Sequence, residues 1–180
     1  MKFNAAAESE LLGGVHPDIA HLGWLVGSWG GIFNGETPAG EPFMFEQEAQ
    51  FFSDGRPFLE YRSYSWIVDE DRKRINPSHT EQGYWRGTAE NGVEAVIVNP
   101  MGICEVYVGR VIVGGLENAT ITRAELQLNP VEVALTPTAP AILSPSRMYG
   151  LVNGRLLTTF DMATGEHDAK PHVWISMEKL

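Results

Sequence analysis

Hydrophobic and polar residues alternate with a period of two along most of the chain. The clearest case is Phe43–Phe52, where Phe43, Phe45, Gln47, Ala49 and Phe51 share one face and Met44, Glu46, Glu48 and Gln50 the other. Successive side chains of a strand point to opposite faces, so this segment reads as a strand with one buried face. Phe58–Val68 repeats the signal with Tyr61, Tyr64 and Trp66. Further strands are predicted at 79–88, 93–98, 103–113, 117–128, 131–137, 141–152 and 156–162. In the final stretch, alternation puts His172, Trp174 and Ser176 on one face and Val173, Ile175 and Met177 on the other. Pro171 suits the start of that strand, where no ladder N–H is needed.

Turn chemistry punctuates the pattern. Asp54-Gly55, Asn91-Gly92 and Asn153-Gly154 are hairpin signals, because such pairs accept the backbone of tight primed turns. Gly35–Pro42, Gly114-Gly115 and Ala163–Ala169 also break the strands. The mixed-charge run Asp69–Arg74 reads as a solvated turn. Residues 1–14 read as a loose arm. Ile19, Leu22, Trp24, Leu25 and Val26 suit a short α or 3₁₀ helix that plugs one end of the fold, flanked by His16 and His21 in surface or capping roles. Trp29, set among glycines, reads as a large side chain packed across the same closed end.

About ten short strands with hairpin turns and almost no helix predict an all-β fold, an antiparallel up-and-down β-barrel or a sandwich, in one domain over 15–180. A barrel of that strand number is wide enough to hold one sizeable ligand.

Composition narrows the function. With 43% hydrophobic and 20% charged residues, the chain is an ordinary globular protein. Its formal net charge of -10 argues against nucleic acid, which needs a basic surface, and against anionic membranes. Neither a signal peptide nor a membrane-spanning apolar run is evident, so the expected location is cytoplasmic. The single Cys104 cannot make an internal disulfide and reads as an inert core thiol. Exposed aromatics such as Tyr64 and Trp66 permit a homodimer.

Most catalytic signatures are missing. The glycines at 27–31 lack the lysine and helix of a phosphate loop. No His-Glu-x-x-His or Cys-x-x-Cys spacing points to zinc, and no serine sits in a nucleophile elbow. Glu46, Glu48 and Glu81 invite a glycosidase reading, but solvated strand faces explain them better. What remains is His79 near one strand start and His172 near another, with Asn99 and Met162 at neighbouring strand ends. Several strand ends converge at the open mouth of a barrel, so these four are expected to share a pocket. His172 there has the ring nitrogens to reach a metal or a haem iron, or else to serve as a structural strand-end residue.

The order of segments resembles the nitrobindin family of haem-binding β-barrels, whose fold is like that of lipocalins and fatty-acid-binding proteins. The matching residues are His16-Pro17, Leu25-Val26-Gly27-Ser28-Trp29 with Gly31, Asp54-Gly55-Arg56-Pro57, Ser78-His79-Thr80-Glu81-Gln82-Gly83-Tyr84-Trp85, Gly102–Val106, Ser146-Arg147, and Met162-Ala163-Thr164 followed by His172. The last glycine of the family's Gly-x-Trp-x-Gly-x-Gly pattern is Phe33 here. The resemblance implies ferric haem b at an open barrel mouth, with His172 as the axial iron ligand and catalytic residue. It implies His79 across the haem with Ser78 beside it, and Asn99, Met162 and Ser28 as further pocket positions. It also implies nitric oxide binding and isomerisation of peroxynitrite to nitrate. The rival expectation is a haem-free, fatty-acid-binding-like carrier of a small hydrophobic ligand, which needs an apolar lumen and no axial histidine. A third is a structural or sensory domain that has lost its ligand.

Overall fold

The computed structural model describes residues 14–36, 42–140, 143–164 and 167–180. The side chains at 35–36, 42, 143–145, 160–164 and 167–174 lie outside the description. So, apart from Gly14, does the expected arm over 1–14. A 3₁₀ helix, Pro17–Leu25, precedes ten strands: β1 (Gly27–Glu36), β2 (Pro42–Phe52), β3 (Phe58–Val68), β4 (Arg74–Thr88), β5 (Gly92–Asn99), β6 (Ile103–Glu117), β7 (Thr120–Leu135), β8 (Leu143–Val152), β9 (Arg155–Thr164) and β10 (His167–Lys179). Each strand pairs antiparallel with the next, and β10 returns to β1 at Trp29–Lys179, closing an up-and-down barrel. A closed barrel leaves no edge strand to pair with another chain.

Three predicted boundaries move, each for a backbone reason. β4 begins at Arg74, five residues before His79. A bulge between Tyr64–Thr80 and Trp66–Pro77 takes up an extra residue there, so Pro77 costs no ladder bond. Arg74 thereby leaves the charged turn and joins the sheet. Its guanidinium lies 3.6 Å over the Trp66 ring and bonds Glu46 and Glu48. β6 runs through Gly114-Gly115 by shifting register and turns only at Asn118-Ala119, both at positive φ. β7 likewise absorbs Asn129-Pro130 at a bulge opposite Val106 and Tyr107, joining two predicted segments into one strand.

The hairpins at 53–57, 88–92, 118–119 and 153–154 gather at one end of the barrel with the 3₁₀ helix. His16 caps that helix, with Nδ1 accepting from the Asp18 N–H at 3.2 Å. His21 bonds the Gly92 carbonyl at 3.0 Å. The helix sits so close to β4 that a Cβ on Gly87 would collide with the Asp18 carbonyl oxygen. Trp29 is buried beneath it and donates to the Leu25 carbonyl at 2.7 Å. The predicted plug and the predicted tryptophan therefore share the closed end. The other end, where β1 leads to β2, β3 to β4, β5 to β6, β7 to β8 and β9 to β10, is the mouth.

Inward positions alternate as expected: Phe45, Gln47, Ala49 and Phe51 on β2 are all buried. In the closed half they fill the lumen. Phe51, Tyr61, Trp85 and Tyr149 pack ring against ring, with Trp85 edge-on to Phe51 at 5.2 Å and to Tyr149 at 5.0 Å. Such pairs add about 0.5–1.5 kcal/mol each beyond their burial. The lumen expected to hold a ligand is thus occupied by side chains over its lower half. Cys104 is a half-buried free thiol on the outer face, because its neighbours Ile103 and Glu105 take the inward positions. It is not the core thiol that the sequence suggests. Among the described residues no helix is long and apolar enough to cross a membrane.

Candidate functional site at the barrel mouth

A layer of buried charge crosses the barrel above the aromatic core. Arg147 of β8 is 5% exposed, Glu81 of β4 and Glu105 of β6 each 3%. The Arg147 guanidinium grips Glu81 with both ends, Nη1 to Oε1 at 2.8 Å and Nη2 to Oε2 at 3.0 Å. It also donates to Glu105 Oε2 at 2.5 Å and, through Nε, to the Tyr107 hydroxyl at 2.9 Å. Tyr61 donates to Glu81 Oε1 at 2.6 Å, and Tyr107 to Glu105 Oε1 at 2.9 Å. Buried charges persist only when paired and hydrogen-bonded in this way.

The electrostatics follow from that geometry. Burial pushes the Glu81 carboxyl up, but the Arg147 charge, with contacts from His79, Arg147 and Tyr61, outweighs it and holds the group well below the usual carboxylate range. Burial raises the Tyr61 hydroxyl well above its ordinary value and pushes Tyr149 up to about 12. Both hydroxyls therefore stay protonated near neutrality, and Tyr61 acts as a donor to Glu81.

This layer is the floor of the mouth. His79 stands over it, two residues up β4 from Glu81 and 44% exposed, with Nε2 3.6 Å from Glu81 Oε2. Its backbone is held across the β3–β4 bulge by Ser65, whose hydroxyl accepts from the His79 N–H at 3.0 Å and donates to its carbonyl at 3.3 Å. Phe33, Phe43 and Phe45 form an apolar wall on β1 and β2, with ring centres 5.3 and 5.6 Å apart in sequence round the wall. The Phe33 ring lies against Gly31, where a Cβ would stand 2.7 Å from that ring and from the Ser176 carbonyl oxygen. Phe33 thus fills space that Gly31 leaves open.

The other sequence-derived positions fall as follows. Ser78 is exposed beside His79 on β4. Asn99 ends β5 at the mouth, where its side chain accepts from the Met101 N–H at 3.0 Å and shapes the β5–β6 turn. Met162 and His172 lie on the mouth halves of β9 and β10, and their side chains are outside the described residues. The backbone still says something about His172. Pro171 pairs with Asp161 and Val173 with Phe160, so His172 is the extra residue of a β-bulge. Ile175 and Met177, further along the strand, face the core. Ser28 lies at the closed end, buried on β1 next to Trp29, and topology does not bring it to the mouth. By the shorter route round the barrel, β10, β1, β2, β3 and β4 follow in order. The two histidine-bearing strands therefore flank the phenylalanine wall.

Sequence reasoning left Glu81 among solvated carboxylates and gave Glu105 and Arg147 no role. A signal was present. Glu81 is in phase with Trp85, Glu105 with Tyr107 and Arg147 with Tyr149, so three charged residues fall on inward faces. Glu46 and Glu48 do lie on the outer face, with Arg74. A separate groove of about 440 Å³ on the outer wall, lined by outward positions such as Ile112, Met148, Val152 and Leu157, is not part of the lumen.

Comparison with known proteins agrees with this architecture. Residues 18–179 match the family model described as a THAP4-like, heme-binding beta-barrel domain. A peroxynitrite isomerase of a Nocardioides species is 35% identical over 92% of this chain and 94% of its own length. A ferric nitrobindin-like protein of Streptomyces griseus is 31% identical over 95% of this chain and 86% of its own. The crystal structure of Rv2717c from M. tuberculosis superposes with a TM-score of 0.80 at 28% identity, covering 92% of this chain and 99% of that one. The chain belongs to the THAP4-like haem-binding β-barrel family, the nitrobindin family that the sequence resembles.

Proposed function

We propose that this member of the haem-binding β-barrel family holds ferric haem b at its mouth through His172 and uses it to bind nitric oxide and to isomerise peroxynitrite to nitrate. The carrying observation is the set of residues at the mouth end: a buried ionic layer, three packed phenylalanines and an exposed imidazole. Its chemistry fits the group. Phe33, Phe43 and Phe45 suit the apolar face of a macrocycle, and the imidazole of His79 suits a small polar ligand on the side away from His172. His172 lies on the mouth half of β10, the strand where the family resemblance puts the ligand histidine.

When bound, ferric haem would supply a Lewis-acidic iron that assists the exchange of the O–O bond of peroxynitrite for a new N–O bond, with no net change of oxidation state. The chain's own residues do the rest. His172 would anchor the group, the wall would keep water from its apolar face, and the exposed His79 ring would meet the incoming ligand. The floor bars deeper entry, so ligands meet the site only from the mouth. The same filled lower lumen argues against the hydrophobic-carrier reading, which needs an apolar channel.

Titration of the purified apoprotein with hemin, alongside His172→Ala, tests the reading. The expected result is a sharpened Soret band at one-to-one stoichiometry that the variant loses, followed by accelerated peroxynitrite decay with nitrate as product. An unchanged spectrum in His172→Ala overturns the axial assignment; no specific Soret change in either protein overturns haem binding.

A further inference from the structure

Glu81 belongs to the ionic floor, yet one of its oxygens also faces the mouth. Oε1 takes two donors, Tyr61 and Arg147 Nη1. Oε2 takes one, Arg147 Nη2, and then meets His79 Nε2 at 3.6 Å. That separation is longer than a hydrogen bond, but it is short enough for the carboxylate to choose between the two states of the ring nitrogen. A lone pair there is repelled and an N–H attracted. Ring contacts of this kind are often long before a ligand binds. Glu81 itself cannot turn away, because Arg147 fixes both of its oxygens. The His79 backbone cannot turn away either, because Ser65 bridges its N–H and carbonyl.

We propose that Glu81 is the positioning residue of His79: it selects the Nε2–H tautomer and leaves Nδ1, with its lone pair, as the nitrogen that accepts from a protonated ligand or a water at the mouth. The tautomer and the orientation are properties of the free chain, while the ligand's identity rests on the function proposed above. The orienting of a histidine's free nitrogen by a carboxylate on the other is a general device. What sets this instance apart is the anchoring of that carboxylate to Arg147 on β8, across the barrel. The remote strand thus controls how His79 meets a ligand.

Nitrogen-15 NMR of the His79 ring in the full chain, at alkaline pH where imidazole is neutral, reads the tautomer directly. The wild-type ring is expected as the Nε2–H form. In Glu81→Gln the amide oxygen keeps the place served by Tyr61 and Arg147 Nη1. The amide NH₂ then faces His79, and the ring is expected to invert to the Nδ1–H form. Glu105→Gln removes the same carboxylate charge from the same cluster without touching His79, and is expected to keep the wild-type tautomer. A wild-type ring mainly in the Nδ1–H form overturns the proposal without any variant. So does an equal response to Glu81→Gln and Glu105→Gln, which a merely structural role predicts. In haem-loaded protein, Glu81→Gln should change the nitric oxide dissociation rate while His79 is present and leave it unchanged in the His79→Ala background. Independent, multiplying effects overturn the proposal. If hemin fails to bind, the proposed function falls, and the tautomer measurement still decides the role of Glu81.

Discussion

Arg147 on β8 and Glu81 on β4 meet inside the barrel through two hydrogen bonds of 2.8 and 3.0 Å, four strands apart in the sheet order. The pair ties opposite walls together and separates the aromatic core from the mouth. Several consequences can be measured.

Arg147→Leu should destabilise the protein by about 3–5 kcal/mol, because it leaves two buried carboxyl groups without their shared partner. Urea unfolding of the apoprotein checks this. Glu81→Gln should cost less than Arg147→Leu, since an amide still accepts from Tyr61. A loss below about 1 kcal/mol for Arg147→Leu would show that the site relaxes or admits water.

Acid stability should carry the signature of Glu81. Its carboxyl is held below the usual range in the folded chain, so the contribution is complete above the unfolded value of about 4.3. It is lost as pH falls from there through the depressed folded value. The urea midpoint, followed downward from pH 6, should fall more steeply below that point in wild type than in Glu81→Gln. Parallel acid limbs would contradict the assignment.

His79→Ala and His172→Ala should separate anchoring from ligand contact. Hemin is expected to stay bound in His79→Ala, with altered binding of nitric oxide, and to be lost in His172→Ala. Loss of hemin in both, measured by Soret titration, would make His79 a second anchor.

Phe33→Ala removes a ring that is 8% exposed and should cost about 3–5 kcal/mol as a large-to-small core change. It also opens the mouth wall, so hemin affinity should weaken in the same variant. Phe33→Leu, which keeps most of the volume, should retain more of both.

Gly87→Ala would drive a methyl group into the Asp18 carbonyl and the His21 ring. A cost of about 1–3 kcal/mol is expected, with amide exchange faster over residues 17–25 than over the sheet. Uniform exchange rates would show that the plug and barrel open together.

Much of the fold could be read from local pattern. Alternation alone identifies the inward face of β2 from Phe45 to Phe51, the Asn-Gly and Asp-Gly pairs locate three hairpins, and the apolar run from Ile19 to Val26 marks the plug. These features depend on residues close together in the chain, where period and turn chemistry suffice. The barrel's closure and its register do not. Pro77 and Pro130 fall outside the predicted strands and Gly114-Gly115 reads as a break, and only cross-strand pairing takes them into long strands with shifted register. The mouth divides in the same way. His79 and His172 stand out in the sequence as histidines near strand starts. Arg147 lies 66 residues from Glu81 and 42 from Glu105 along the chain, and each of the three alone reads as an ordinary charge. Whether such a charge is solvated or buried depends on what stands opposite it. The closed barrel brings one guanidinium to two carboxyls, and that encounter makes their burial stable and sets His79 above them.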